Sequence, residues 1–222
     1  MDLSVLLDPL DLPRLTQVLD ELGHLGRLDT VRGWEGGTMA MLFEAMKGYQ
    51  PLTLDYFVPP ELPPLTEVIH HGKNSLPAFT LFQKRFCKPA KATEGATGAN
   101  GGNGNANGNG KLWGYNHNPA FVTWFAGAGY YVAHDWEPGE IVVDYTLIPP
   151  EKPAAWPDAI QPNARGIGPR AVYGNMVDIM RGLSKNVSIG RARRCKVAGK
   201  PESSEWMDAW FVLCREDPAP AA

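Results

Sequence analysis

Two runs of β-branched and aromatic residues, separated by a turn, form the clearest hydrophobic pattern in the chain. The first run is Tyr130–His134, the second is Ile141–Ile148, and Pro138-Gly139 lies between them. Such residues favour a pleated, half-buried surface, and Pro-Gly favours a turn because proline presets φ and glycine accepts a positive φ. The pattern therefore predicts an antiparallel hairpin, and Pro149-Pro150 ends its second strand.

Alternation along the second strand separates an apolar face from a mixed one. The apolar face carries Ile141, Val143, Tyr145 and Leu147. The mixed face carries Val142, Asp144, Thr146 and Ile148. Antiparallel sheets commonly expose one face to water, so the mixed face either is solvated or lines a partly polar pocket inside a curved sheet. The sequence leaves both interpretations open.

Apolar residues at helical spacing predict three helices. The first follows Asp11-Leu12-Pro13 and ends at Gly23 or Gly26, and the second runs from Thr38 to Gly48. The third covers Met176–Leu183, with Asp178 and Arg181 as a local polar pair, and a strand over Pro169–Tyr173 precedes it. The two N-terminal helices, in residues 1–48, are expected to pack on the body of the protein.

The remaining apolar runs predict further strands, which gives seven or eight antiparallel strands in all. So many strands in one chain favour a barrel or a strongly curved sheet, because closure removes exposed strand edges. We therefore expect one α+β domain over residues 1–222, with a lipocalin-like or calycin-like barrel and one helix before the last two strands. The Gly/Asn-rich tract at 88–110 is predicted to be a disordered loop, and 216–222 a frayed tail.

Composition and charge narrow the classes of function. The chain is 44% hydrophobic and 20% charged, with a net charge of -3, which is ordinary for a globular protein and gives no reason to expect nucleic-acid binding. The basic residues Lys84, Arg85 and Lys88 are interpreted as solvated strand edges. Three widely spaced cysteines indicate reduced thiols. Neither a signal peptide nor a membrane-spanning run is evident, so we expect a cytoplasmic location without membrane association.

The order of several motifs resembles the GXWXG / DUF4334 family of bacterial and fungal proteins. The resemblance lies in Trp34-Glu35-Gly36 before a short helix, in Val172-Tyr173, in Val187–Gly190, and in Phe211–Leu213 before Arg215. The first glycine of the family motif is replaced here by Arg32. The resemblance covers about a third of the chain; it implies a compact lipocalin-like β fold and no particular chemistry.

Motifs for metals, cofactors and activated nucleophiles are not found, so neither a metal nor a cofactor is expected. Among the five histidines, His70 is the candidate acid or base, and Asp144 is the best-placed carboxylate if its face lines a cavity. Aromatic residues with polar tips, together with one arginine, are the candidate ligand contacts: Trp34, Trp113, Tyr115, Tyr131, Tyr145, Tyr173 and Arg181.

Three hypotheses of function follow. The first is a protein that binds a small hydrophobic or aromatic metabolite inside a β-barrel, since such pockets are mostly apolar with a few polar groups. The second is a cofactor-independent acid/base enzyme on the same scaffold, such as an isomerase, cyclase or hydratase. The third is a protein-interaction module that presents the N-terminal helices and the proline-rich segments to a partner. The sequence does not determine the oligomeric state.

Overall fold

A computed structural model of the 222-residue chain describes most of the sequence. The residues it describes are 3–77, 80–90, 110–119, 123, 127–157, 160–163 and 167–217. The expected loop at 88–110 and the expected tail at 216–222 lie largely outside the described residues.

Five α-helices occur in the described part of the chain: α1 (Leu12–Glu21), α2 (His24–Arg32), α3 (Gly36–Ala45), α4 (Leu54–Phe57) and α5 (Ile167–Tyr173). Short 3₁₀ turns occupy Ser4–Leu6 and Pro201–Ser203. Asp11 caps α1, because its side chain accepts a hydrogen bond from the backbone N–H of Arg14 at 3.1 Å. The sequence did not predict α2, since Gly26 was interpreted as a stop and instead lies inside this helix.

Eight strands in the described residues form a closed antiparallel barrel in chain order. They are β1 (Val68–Asn74), β2 (Leu81–Cys87), β3 (Lys111–His117), β4 (Tyr130–Asp135), β5 (Ile141–Asp144), β6 (Met176–Gly182), β7 (Val187–Cys195) and β8 (Ser204–Arg215). The barrel closes where β8 pairs with β1, from His70 opposite Arg215 to Asn74 opposite Phe211. The expectation of an α+β chain built on an antiparallel barrel is confirmed.

The hairpin that dominates the sequence pattern is β4–β5. Its register pairs Val132 with Asp144 and Asp135 with Ile141. Gly139 in the connecting turn has a φ of +79°, which glycine adopts without strain. A Cβ at this position would also lie 3.1 Å from the backbone of Pro51, so the turn is held closely against the segment before α4.

The secondary structure predicted for residues 169–183 is wrong in both elements. The predicted strand belongs to helix α5, and the predicted helix is strand β6, so the helix precedes the last three strands. The cause lies in the burial of β6, which is covered on both faces along most of its length. Apolar residues on both faces fit a helical spacing as well as a strand, and pairing with β5 and β7 decides between them.

Three clusters of buried residues pack against the barrel wall, two on its outer face and one on its inner face. Helices α1, α2 and α3 cover the outer face of β6, β7 and β8, where Ile179, Ile189 and Val212 are fully buried. A second cluster lies inside the barrel, and α4 covers one end, where the Phe57 ring packs 4.9 Å from that of Phe86. A third cluster lies outside β3 and β4, around Trp156 and Tyr115. No helix in the described ranges has both the length and the apolar character needed to cross a membrane.

Aromatic rings inside the barrel lie against glycines on the neighbouring strand. A Cβ added at Gly114 would lie 2.1 Å from the ring of Tyr131, the residue directly opposite it. The same arrangement places Phe211 on Gly190 at 2.2 Å and Phe82 on Gly72 at 2.6 Å. Glycine is required at these positions because the space of a side chain is taken by the ring, and the interior is consequently rich in aromatic surface.

Candidate functional site

Lys84 places a charged group inside the barrel. Alternation along β2 directs Phe82, Lys84 and Phe86 inward, and Lys84 is only 1% exposed. Its Nζ donates to Oδ2 of Asp178 at 2.9 Å, to Oδ1 of Asn116 at 3.2 Å and to the hydroxyl of Tyr145. The amine therefore has three oxygen partners, one for each N–H of its charged form.

These partners come from different walls of the barrel. Asn116 is on β3, Tyr145 directly follows β5, and Asp178 is on β6, on the opposite side of the sheet order from β2. The Asn116 amide donates to the Tyr145 hydroxyl at 2.8 Å, and that hydroxyl donates to Asp178 Oδ2 at 3.2 Å. We call Lys84, Asn116, Tyr145 and Asp178 the interior polar cluster.

Aromatic rings enclose the amine of this cluster. Nζ of Lys84 lies 4.9 Å from the centre of the Tyr145 ring, 5.1 Å from Phe211, 5.2 Å from Tyr131 and 5.7 Å from Phe82. Ring faces attract a cation, although less strongly than water solvates it.

Burial therefore changes the proton affinities in the cluster. Loss of solvent lowers the pKa of Lys84, and the negative charge of Asp178 opposes this effect in part. Burial also raises the pKa of Tyr145 and of Tyr131 well above the usual value of a phenol. The site thus combines an amine whose pKa is lowered with a phenol whose pKa is raised.

A buried ion pair of this kind is not explained by stability alone. Removing each ion from water costs several kcal/mol, and well-packed apolar residues in place of a buried pair are often neutral or stabilising. Perturbed ionisable groups also concentrate at functional sites. The interior polar cluster is therefore the candidate site of this protein.

A pocket of about 600 Å³ lies next to the cluster, at the barrel end opposite α4. Its lining includes Leu81, Phe82, Gln83, Tyr115 and Asn118. Phe82 forms both part of this pocket and part of the ring enclosure around Lys84. Phe82 on β2 is thus shared between the pocket lining and the surroundings of the interior polar cluster.

Tyr173 makes a second connection between the pocket and the cluster. Asn118, at the pocket, donates to the Tyr173 hydroxyl at 2.8 Å. The Tyr173 ring stacks on that of Tyr145, with centres 5.2 Å apart and planes inclined by 16°. Burial raises the pKa of Tyr173 to about 12, so it acts here as a neutral hydrogen-bonding group.

The predicted ligand contacts divide between the two faces of the barrel wall. Tyr131, Tyr145 and Tyr173 lie in or beside the interior polar cluster. Tyr115 lies outside, with its ring 4.9 Å from that of Trp156 and inclined to it by 56°, and it lines the pocket. Two tryptophans are also outside the barrel: Trp113, whose Nε1 donates to Glu151 at 3.4 Å, and Trp34, which is buried in the helical layer.

Arg181 is not at the interior polar cluster. It points outward from β6 and donates from Nε to Glu140 at 2.6 Å and from Nη1 to the backbone carbonyl of Phe43 at 2.7 Å. Its guanidinium carbon lies 3.9 Å from the centre of the Phe43 ring. These contacts fasten the end of α3 to the barrel and to the β4–β5 turn.

The two interpretations of the mixed face of β5 are both wrong. Val142 and Asp144 are buried, so the face is not solvated, and they lie on the outside of the barrel, so they do not line its interior. The apolar face with Val143 and Tyr145 points inward instead. Asp144 Oδ1 accepts from the N–H and the hydroxyl of Thr146, at 2.7 and 2.6 Å. A catalytic role for Asp144 stays a prediction, and its contacts are those of a residue that orders the strand end.

His70 does point into the barrel, directly opposite Lys84 in the register. Its ring lies among those of Phe57, Phe86 and Tyr56, and Nε2 is 3.0 Å from the carbonyl oxygen of Phe57. Burial lowers the pKa of His70 to about 3, so the neutral ring donates from Nε2 to that carbonyl. Its Nδ1 has no hydrogen-bond partner among the described residues. Proton transfer by His70 also stays a prediction.

Sequence reasoning missed three members of the interior polar cluster: Lys84, Asn116 and Asp178. Lys84 was interpreted as part of a solvated basic run, and Asp178 as part of a surface pair on a helix. One signal could have identified Lys84: it lies between Phe82 and Phe86 at a spacing of two, which puts all three on one strand face. Nothing comparable marks Asn116 or Asp178.

Within the described residues, no group of three or more His, Cys, Asp or Glu side chains is arranged to hold a metal ion. The three cysteines are buried and free. Comparison of the chain with protein-family models, curated proteins and solved structures finds no match. The resemblance to the GXWXG / DUF4334 family stays a prediction.

Proposed function

We propose that the protein binds a small aromatic or otherwise apolar molecule that carries a polar oxygen group. The interior polar cluster recognises the oxygen group, and the surrounding rings contact the apolar part. The observation that carries this proposal is the Lys84–Asp178 ion pair, which lies among the aromatic rings of the barrel interior with side chains 2% and 4% exposed.

Two features support a ligand of this type. Small-molecule sites are mostly apolar with a few polar groups that fix orientation, and the interior polar cluster inside its ring enclosure has this composition. The pocket next to it, which Phe82 also lines, supplies space for the apolar part. A flat ring that takes the position of the Phe82 ring would bring its substituent towards Nζ of Lys84.

Ligand-observed NMR with three small probes tests the proposal. Benzaldehyde and acetophenone carry a carbonyl oxygen on a phenyl ring, and toluene has the ring without the oxygen. We expect saturation transfer to the two carbonyl probes and a weaker effect for toluene. Replacing the pair by apolar residues, in Lys84→Met/Asp178→Leu, should abolish the preference for oxygen while keeping the fold.

Lys73→Met is the matched control for a lost lysine. Lys73 lies on β1 outside the interior polar cluster, and its Nζ donates to the backbone carbonyls of Arg32 and Trp34 at 2.7 and 2.8 Å. This variant should keep the preference of the wild type. Equal binding of all three probes, or a preference that survives in the double variant, would contradict the proposal.

A second candidate is a cofactor-independent enzyme that moves a proton next to a carbonyl group. It is favoured by the position of Tyr145, whose hydroxyl contacts both Lys84 and Asp178. A neutral Lys84 could accept a proton from carbon while the Tyr145 hydroxyl donates a hydrogen bond to the carbonyl oxygen. Exchange of the methyl protons of acetophenone in heavy water, followed by NMR, tests it. A rate equal to that with the double variant would exclude this activity for that compound.

A further inference from the structure

The chemical state of Lys84 decides what the interior polar cluster can do beyond binding. A neutral amine has two N–H donors and one lone pair. Asp178 and Asn116 can accept the two N–H groups, and the Tyr145 hydroxyl can donate to the lone pair. The same four side chains therefore satisfy the amine in either protonation state, which is not the case for a lysine that contacts carboxylates alone.

Desolvation favours the neutral state. Burial among aromatic rings lowers the pKa of Lys84, and it keeps the Tyr145 phenol protonated. A desolvated lysine is a known type of activated nucleophile towards carbonyl compounds. The carboxylate of Asp178, 2.9 Å from Nζ, is placed to take the proton that the ammonium group must lose.

We propose that Lys84 is a nucleophile that forms an imine with the carbonyl group of a bound aromatic aldehyde or ketone. This inference rests on the proposed function, since the carbonyl compound must first occupy the barrel interior. It assigns a substrate class, aryl carbonyl compounds, and a covalent step to the interior polar cluster.

The reaction balances with the groups that are present. The ammonium proton passes to Asp178, and the lone pair of Nζ attacks the carbonyl carbon while the Tyr145 hydroxyl donates a hydrogen bond to the carbonyl oxygen. Proton transfer from nitrogen to oxygen gives a carbinolamine. Loss of the hydroxyl group with the proton held by Asp178 releases one water molecule and leaves a carbon–nitrogen double bond. No oxidant, reductant or cofactor is consumed.

The ring enclosure favours an aromatic carbonyl compound and protects the product. The rings of Phe82, Phe211, Tyr131 and Tyr145 surround Nζ at 4.9 to 5.7 Å and offer flat surfaces to a conjugated imine. They also exclude the water that would hydrolyse it. Phe82 belongs both to the pocket lining and to the ring enclosure of Nζ, so we expect its size to affect which aldehydes reach the amine.

Reductive trapping tests the proposal on the full-length protein. The protein is incubated at neutral pH with benzaldehyde and sodium cyanoborohydride, and the reduced benzyl adduct is located by peptide mass spectrometry. We expect the adduct to form several-fold faster at Lys84 than at Lys73, because burial lowers the pKa of Lys84 and so increases its fraction of neutral amine, and because the ring enclosure holds the aldehyde next to Nζ. The other lysines of the same molecule serve as internal controls.

Two variants make the result specific. Lys84→Met/Asp178→Leu should lose the fast adduct while keeping the circular dichroism spectrum of the wild type. Phe82→Ala leaves the interior polar cluster intact and should accept the bulkier 2-naphthaldehyde at a higher rate than the wild type does. Trapping that is no faster at Lys84 than at Lys73, in both the wild type and Phe82→Ala, would overturn the inference.

The NMR experiment separates this failure from a failure of the proposed function. If benzaldehyde binds with a preference that depends on Lys84 and Asp178 but no adduct is trapped at Lys84, the imine is excluded and the binding function stands. If benzaldehyde shows neither such binding nor an adduct, both are wrong. A trapped adduct at Lys84 supports both.

Discussion

The buried neutral state of His70 predicts a specific loss of stability in acid. Its pKa is lowered from 6.5 to about 3, chiefly because burial removes solvent from the charged form, and nearby Arg215 adds to the effect. The unfolded chain therefore binds a proton at His70 between about pH 6.5 and pH 3, and the folded protein does not. The free energy of unfolding must fall as the pH drops through this window, with no further loss from His70 below it.

The magnitude follows from the two pKa values. One pKa unit corresponds to about 1.4 kcal/mol, so at pH 4.5, about two units below the unfolded value, His70 lowers the free energy of unfolding by about 3 kcal/mol relative to neutral pH. Other groups titrate in the same range, so the contribution of His70 is isolated by comparison with His70→Phe. Phenylalanine is suited to the site because the surrounding groups include the rings of Phe57 and Phe86.

Urea unfolding followed by tryptophan fluorescence at neutral pH and at pH 4.5 measures the effect. At neutral pH we expect His70→Phe to differ from the wild type by about 1 kcal/mol, through the lost hydrogen bond to Phe57. Between the two pH values the variant should lose about 3 kcal/mol less than the wild type does. Equal pH dependence in the wild type and His70→Phe would refute the reasoning.

Three further predictions concern the interior polar cluster and its surroundings. Lys84→Met should lower the free energy of unfolding in urea by about 3–5 kcal/mol, because it leaves Asp178 buried without a cation. Lys84→Met/Asp178→Leu should recover most of this loss, and a double variant no more stable than the single one would contradict the prediction. Gly114→Ala should lower the free energy of unfolding by about 1–3 kcal/mol, since its Cβ would lie 2.1 Å from a tyrosine ring. Gly37→Ala is the control and should not be destabilising, because a Cβ at Gly37 would have no atom within 4 Å. Asp144→Ala should lower the free energy of unfolding by about 1–2 kcal/mol through its lost hydrogen bonds and leave the binding of benzaldehyde unchanged. Weaker binding of benzaldehyde to this variant, measured by NMR, would instead assign Asp144 a role in the site.

Much of the scaffold could be predicted from patterns that are local in the sequence. The β4–β5 hairpin follows from its turn residues and its β-branched runs, and helix α1 from its cap and its apolar spacing. The element errors occurred where local signals were ambiguous. Helix α2 contains Gly26, and β6 is buried on both faces, so its apolar residues also fitted a helix.

The candidate site was predictable only in part. Tyr131, Tyr145 and Tyr173 were selected as polar aromatics, and all three lie at or beside the interior polar cluster. Asp144 was selected because it is the acid in the middle of a strand, yet the structure turns it outward. Alternation shows which residues share a face, but it does not show which of the two faces becomes the inside of the barrel.

The sequence by itself determined the antiparallel hairpin, the many short strands and the need to close the sheet, because turn chemistry and side-chain alternation act between residues that are close in the chain. Only the tertiary structure decided that the apolar face of β5 points inward and that Lys84 meets Asp178. These two residues are 94 positions apart, on β2 and β6, and each alone looks like an ordinary surface charge. Closure of the barrel brings opposite walls together and removes water from between them, and this makes an amine and a carboxylate into a site.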